Sequence, residues 1–249
     1  MAGHNRWTKI KRQKQALGAT KGRLFTKVIR ELTVSAREGG PDPDGNPRLR
    51  AAIAAAKEAN LPKENLERAI QRGTGELEGA AYEEVAYEGY GPGGVAVLVE
   101  CVTDNRNRTA GEVRHLFDKG GGSLEKSGSV SWIFERKAVM EVYKERFSEE
   151  EVMEVALEVG AEDVLDGEEA WEVRAESTEF HVVLSGLEAK GLSPTEAKLA
   201  WLPKSTVKVE GDAAKGLMKM LSLLEDCDDV QNVWANYEID DAELEAAIG

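Results

Sequence analysis

No stretch of the 249-residue chain approaches the ~20 consecutive apolar residues that a membrane helix requires, so no membrane partner is expected. Residues 1–10 lack an apolar run behind their basic side chains, so no secretory signal is expected there. Cysteine is nearly absent. Cys101 sits in an apolar run and Cys227 in an acidic one, and two distant thiols form neither a disulfide framework nor a metal-ligand spacing. Reduced thiols in a cytoplasmic protein are the expectation. The three histidines, His4, His115 and His181, have no cysteine or carboxylate at ligand spacing, so neither a metal nor another cofactor is expected. The last absence is acid at the N-terminus: residues 1–30 hold none.

Those thirty residues carry nine cations: Arg6, Lys9, Lys11, Arg12, Lys14, Lys21, Arg23, Lys27 and Arg30. The whole chain nonetheless has a net charge of -14. Residues 1–80 contain 16 basic and 9 acidic groups, which leaves 16 basic and 37 acidic groups for residues 81–249. Such a split reads as a polyanion-binding end on a soluble, self-repelling body. Lysine and arginine neutralise phosphates and release counterions without reading sequence. Trp7 stands within the run Arg6-Trp7-Thr8-Lys9-Ile10-Lys11-Arg12-Gln13-Lys14, where it can stack on an unpaired base or pack on the first helix. Charge of this kind specifies a polyanion and leaves DNA and RNA both open.

Periodicity divides the chain. Leu24, Phe25, Val28, Ile29, Leu32 and Ala36 form one apolar stripe, predicting a helix over 21–39 that ends at Gly39-Gly40-Pro41. Asn46 followed by Pro47 predicts the start of a second helix, which runs to about residue 59. A third spans about 62–73, and the glycine-rich stretch 73–80 reads as a linker. Beyond it the pattern turns to strands: 82–90, 95–102 and 129–135, with a helix over 108–119. Residues 138–202 follow the order strand, helix, strand, strand, helix, strand, which matches a ferredoxin-like split βαβ unit. A strand at 206–209, a helix at 212–224 and a strand at 230–237 are too few to bury a core alone. The expected fold is therefore α+β and multidomain: a helical domain at 1–79, a discontinuous α/β domain from 80–136 plus 205–240, and the ferredoxin-like domain, 137–204, inserted in it. The acidic end, 240–249, is expected to fray or form a short helix.

Two loops are candidates for chemistry. Asp104-Asn105-Arg106-Asn107-Arg108-Thr109 lies where a strand gives way to a helix; Asn and Asp there suit helix caps, and Arg106 and Arg108 suit a phosphate at the helix N-terminus. Tyr87-Glu88-Gly89-Tyr90-Gly91-Pro92-Gly93-Gly94 is glycine-rich, but it precedes a strand and lacks the lysine and hydroxyl of a nucleotide loop, so it reads as a shaped hairpin turn that presents Tyr90. Cys101 and His115 could be drawn as a nucleophile pair, but Cys101 falls in a buried strand. No catalytic residue is singled out, and a non-enzyme is expected.

At these segments the chain resembles the YebC/PmpR-like family, which also includes mitochondrial translational activators. The resemblance is carried by Ala2-Gly3-His4 with Trp7, Phe25-Thr26-Lys27, Ala36-Arg37-Glu38-Gly39-Gly40, Asn46-Pro47-Arg48-Leu49-Arg50, the hairpin Tyr87–Gly94 and the loop Thr103–Thr109. It spans nearly the whole chain and is thinner in the acidic C-terminal half. It departs at Leu17-Gly18 and at Leu124 to Ser127. The resemblance implies three domains, no established catalytic residue, and a cytoplasmic transcriptional regulator that binds DNA. Its alternative is a ribosome-associated translation factor that binds RNA and relieves stalled synthesis. The opening Met1-Ala2-Gly3-His4 suggests a bacterial member. The nucleic-acid contacts expected are Arg6, Trp7, Lys9, Lys11, Arg12, Lys14, Lys21, Arg23, Lys27, Arg30, Arg106 and Arg108.

Overall fold

The apolar stripe of the first predicted helix is buried as a stripe. In the computed structural model, which describes residues 21–248, helix α1 spans Lys21–Gly39 and turns Val28, Leu32 and Ala36 inward. These pack on Leu49, Ala52 and Ala56 of α2 (Pro47–Glu58), on Leu61, and on Ala69 of α3 (Lys63–Gly73). Asn46 caps α2: its Oδ1 accepts from Leu49 N at 3.0 Å. Its amide donates to Ser35 O at 2.8 Å and Gly40 O at 2.9 Å, so one buried side chain starts α2 and fastens it to the end of α1. Replacing such a cap with alanine costs ~1 kcal/mol before the two extra bonds are counted. Gly73 lets α3 reach α1, since a Cβ there would lie 2.3 Å from Thr33 O.

Residues 74–82 carry no helix or strand. Strands β1 (Glu83–Gly91) and β2 (Val95–Thr103) then form a fully paired antiparallel hairpin. Helix α4 (Arg106–Lys119) and the short β3 (Ser123–Leu124) follow. The sheet is completed by β9 (Val230–Ala235) from the far end of the chain, in the order β3-β1-β2-β9. Val95, Val97, Val99 and Cys101 alternate onto one face of β2. There they meet Val113 and Phe117 of α4 and Leu217, Leu221 and Leu224 of α7 (Gly211–Glu225). A Cβ on Gly89 would lie 2.6 Å from the Phe117 ring, so a glycine of the hairpin motif makes room for the core. β8 (Val207–Lys208) pairs in parallel with β10 (Tyr237–Glu238), and α8 (Asp241–Ile248) ends the described chain.

These two parts, residues 21–134 with 203–248, form one compact unit, and Glu135–Leu202 form a second. In the second unit the sheet order is β5-β6-β4-β7, from β4 (Phe134–Tyr143), β5 (Asp163–Asp166), β6 (Ala170–Glu176) and β7 (Glu196–Pro203). Helices α5 (Glu149–Glu158) and α6 (Phe180–Ala189) bury Val152, Ala156, Val183 and Leu187 against Met140, Val142 and Val173. With its element order, this is the ferredoxin-like arrangement. It interrupts the sequence of a sheet whose strands come from both sides of it, which gives the mixed, multidomain α+β fold expected.

One strand differs from expectation. Residues 131–133 form a 3-10 turn, and the strand begins at Phe134 and runs unbroken to Tyr143. The reason is remote in sequence: the Glu88 carboxylate takes the backbone N–H groups of Val130 and Ser131, which a ladder would need. The strand expected over 230–237 likewise breaks at Asn236. There the side-chain oxygen accepts from Ala96 N at 2.7 Å and the backbone N–H donates to Ala96 O.

Candidate nucleic-acid interface

Arg6, Trp7, Lys9, Lys11, Arg12 and Lys14 lie outside the described residues. Lys21 opens α1. From there Arg23, Lys27 and Arg30 recur at helical spacing, and all three meet the acidic turn after α7. Arg23 is half exposed, its guanidinium 4.0 Å from the Asp226 carboxylate. Lys27 Nζ donates to Glu225 O at 2.6 Å, at the carbonyl-rich end of α7 where a cation is favoured. Arg30 is buried. Its guanidinium stands 2.7 Å from Asp229 Oδ1, donates to Asp228 O, and lies 5.6 Å from the centre of the Tyr82 ring. Its Nε finds no partner among the described residues. The face of α1 richest in charge is thus the face that holds the helical part to the sheet.

Asp229 is the centre of this contact and was not foreseen. Only 4% of its side chain is exposed, and it accepts from Arg108 Nη2 at 2.8 Å and Thr109 Oγ1 at 2.5 Å. Burial by itself would raise its pKa, but the Thr109 hydroxyl, Arg108 and Arg30 hold it below the ordinary aspartate value. The capping reading of the loop before α4 finds its place. Asn105 caps α4, its Oδ1 accepting from Arg108 N at 3.1 Å, while Thr103 Oγ1 accepts from Asn105 N at 2.9 Å. Arg108 spends one side of its guanidinium on Asp229 and on Asp104, 2.9 Å away, and remains about half exposed. Arg106 is exposed on the first turn of α4. The acidic run at 225–229 could have pointed to Asp229, but its partners are more than a hundred positions away.

A second buried carboxylate organises another loop. Glu88 accepts from Gly128 N at 2.8 Å, Val130 N at 2.7 Å and Ser131 N at 2.8 Å. Burial would raise its pKa; the three backbone donors and the Ser131 hydroxyl bring it below the usual glutamate value. Tyr90 is not presented outward: it is partly buried and its hydroxyl donates to Ser129 O at 3.3 Å. The aromatic residue that the loop exposes is Trp132, 68% accessible, its Nε1 donating to the same Ser129 O at 3.0 Å. Arg48 serves structure: it bridges Glu31 and Glu38 at 2.7 Å and Glu84 at 2.5 Å, joining α1, α2 and β1.

Cys101 is buried in β2 and its thiol is pushed well above the ordinary value, chiefly by burial; the same cause takes Cys227 to about 11. Neither supplies a thiolate near neutrality, and His115 sits exposed on α4. Among the described residues no cluster of three His, Cys, Asp or Glu side chains could hold a metal ion, and no helix is long and apolar enough to cross a membrane.

The helical unit, joined to the sheet through the buried Arg30–Asp229 ion pair, and the ferredoxin-like unit that interrupts that sheet in sequence together make up a chain similar to known proteins. Residues 5–76 match the model of the TACO1/YebC protein N-terminal domain, and residues 82–237 that of the TACO1/YebC second and third domain. The chain belongs to the TACO1/YebC family. A relative from Myxococcus xanthus is 55% identical over 249 residues, with both chains fully covered. One from Persephonella marina is 56% identical over 96% of each chain. One from Thermotoga maritima is 54% identical over 98% of this chain and 97% of its own. Each is named "Probable transcriptional regulatory protein". The crystal structure of a conserved hypothetical protein, Aq1575, from Aquifex aeolicus is 53% identical and superposes with a TM-score of 0.80, covering 90% of this chain and 92% of that one.

Proposed function

We propose that the protein is a transcriptional regulator that binds DNA through its basic N-terminal region and acts in the cytoplasm without catalysing a reaction. One observation carries this reading: nine cations and no acid in residues 1–30, on a chain of net charge -14. A body this acidic repels phosphate on balance, so first contact is favoured where the charge is reversed. The regulatory role follows the names of the relatives. In this reading residues 1–79 form the nucleic-acid domain, residues 80–136 with 205–240 the domain that supports it, and residues 137–204 a third. Arg6, Trp7, Lys9, Lys11, Arg12, Lys14 and Lys21 reach phosphates, joined by the exposed Arg23 and Arg106. Lys27, Arg30 and Arg108 aim the contact, since their charge is largely met from within.

The test is duplex binding at physiological salt. A regulator keeps measurable affinity there and prefers some duplex sequences over others. Binding that survives only at low salt and ignores sequence contradicts the reading. A second reading, a ribosome-associated translation factor on RNA, is favoured by the exposed Trp132, a side chain that suits bases not already stacked in a duplex. Sedimentation with ribosomes from a lysate tests it: the protein travels with the ribosomes if it holds and stays in the supernatant if it does not.

A further inference from the structure

We infer that Trp132 is a preorganised stacking platform for one unpaired nucleobase, and that the glycine-rich hairpin of β1 exists in part to hold it. The inference rests on the proposed nucleic-acid binding and adds to it a site for one unpaired base, separate from the phosphate contacts of the basic N-terminal region.

The indole is 68% exposed, although the chain has an ample core in which to bury it. Its orientation is nevertheless fixed. Nε1 donates to Ser129 O at 3.0 Å, and the Tyr90 hydroxyl donates to the same oxygen at 3.3 Å. The backbone beneath is fixed by Glu88, whose buried carboxylate gathers three N–H groups from positions 128, 130 and 131. Two residues of one hairpin motif, Glu88 and Tyr90, therefore reach about forty positions ahead to the same loop. Bonds to an ionised acceptor are the stronger kind, so the loop pays little further ordering entropy when a ligand arrives.

The chemistry of the platform selects its ligand. The indole's only donor is already spent on Ser129, so it offers a face and no hydrogen-bonding edge. A face binds by stacking, which tolerates any base. In a duplex those faces are covered by neighbouring bases; in an unpaired segment they are open. A protein partner would be met by a ring of packed apolar side chains around the aromatic anchor. Here the exposed or partly exposed positions before it in the chain are Glu125, Lys126, Ser127, Gly128, Ser129 and Ser131, while Val130, Ile133 and Phe134 are buried. The other strongly exposed large apolar residues of this unit, Leu24 and Leu77, belong to different segments. A single exposed ring among small, polar chain neighbours suits a base.

The experiment measures affinity of the full chain for an unstructured oligouridine 12-mer and for a duplex of the same length, at one salt concentration. W132A is expected to weaken oligouridine binding by roughly 5- to 150-fold, the range for loss of one base–aromatic stack, and to change duplex binding less than twofold. W132F retains most of the affinity. E88Q keeps the indole but loosens its loop, and is expected to fall between wild type and W132A. The tryptophan fluorescence quenched by oligouridine diminishes in W132F relative to wild type, which reads the contact without relying on the fold of E88Q. If wild type binds nucleic acid and W132A binds oligouridine equally well, the platform is overturned and the proposed function stands. If wild type binds neither strand form, both fall together.

Discussion

Asp229 lies where α1, α4 and the turn after α7 meet. It is shared by Arg30 from α1 and by Arg108 and Thr109 from α4, and it is almost wholly buried. A buried ion pair adds little over an apolar substitute, but removing one partner strands the other. D229A leaves the Arg30 guanidinium buried without its anion, so it is expected to lower unfolding stability by about 3–5 kcal/mol, read from urea denaturation. An unchanged midpoint would contradict the clamp. The pH dependence follows from the same geometry. Both Asp229 and Glu88 have folded-state pKa values below their ordinary values of 3.8 and 4.5. The unfolded chain thus takes up these protons first as pH falls. Their contribution is fully present above about pH 4.5, and it is lost as pH drops toward and through the lowered folded values. D229N removes the Asp229 share of that acid-side slope, which acid titration of stability measures.

At the scale of elements, α1 serves two masters: its apolar stripe builds the helical core, and Arg23, Lys27 and Arg30 dock it on the turn after α7. The first role depends on how closely α3 approaches. G73A would place a methyl 2.3 Å from Thr33 O, and the resulting shift is expected to cost about 1–3 kcal/mol and to lower the thermal midpoint. A midpoint equal to wild type would mean that the helices part freely. These helices were legible in the sequence because their signals are local: a stripe at helical spacing, Asn46 before Pro47, Asn105 before α4, all found in place. The strand expected at 129–135 was not, because its fate lies with a carboxylate forty positions earlier. The break at Asn236 depends on β2 in the same way. Charge told which residues are cations but not which face acids; Arg30 reads like Arg23 until Asp229 is brought to it from the other end of the chain.

The whole molecule is polarised. Its first eighty residues hold 16 basic and 9 acidic groups, and the remainder 16 basic and 37 acidic. Such a distribution steers a polyanion toward the basic segment of the chain. Arg23, Lys27 and Arg30 are met internally by the 225–229 turn, so the proposed binding rests most on Arg6, Lys9, Lys11, Arg12 and Lys14, which lie outside the described residues. The salt dependence of duplex binding tests this most directly. The plot of log affinity against log salt should be steep for wild type. In the K9A/K11A/K14A triple variant it should be shallower by about one per phosphate contact removed, with affinity lowered alike across sequences. A slope that the triple variant leaves unchanged would contradict the account and move the footprint away from the basic end.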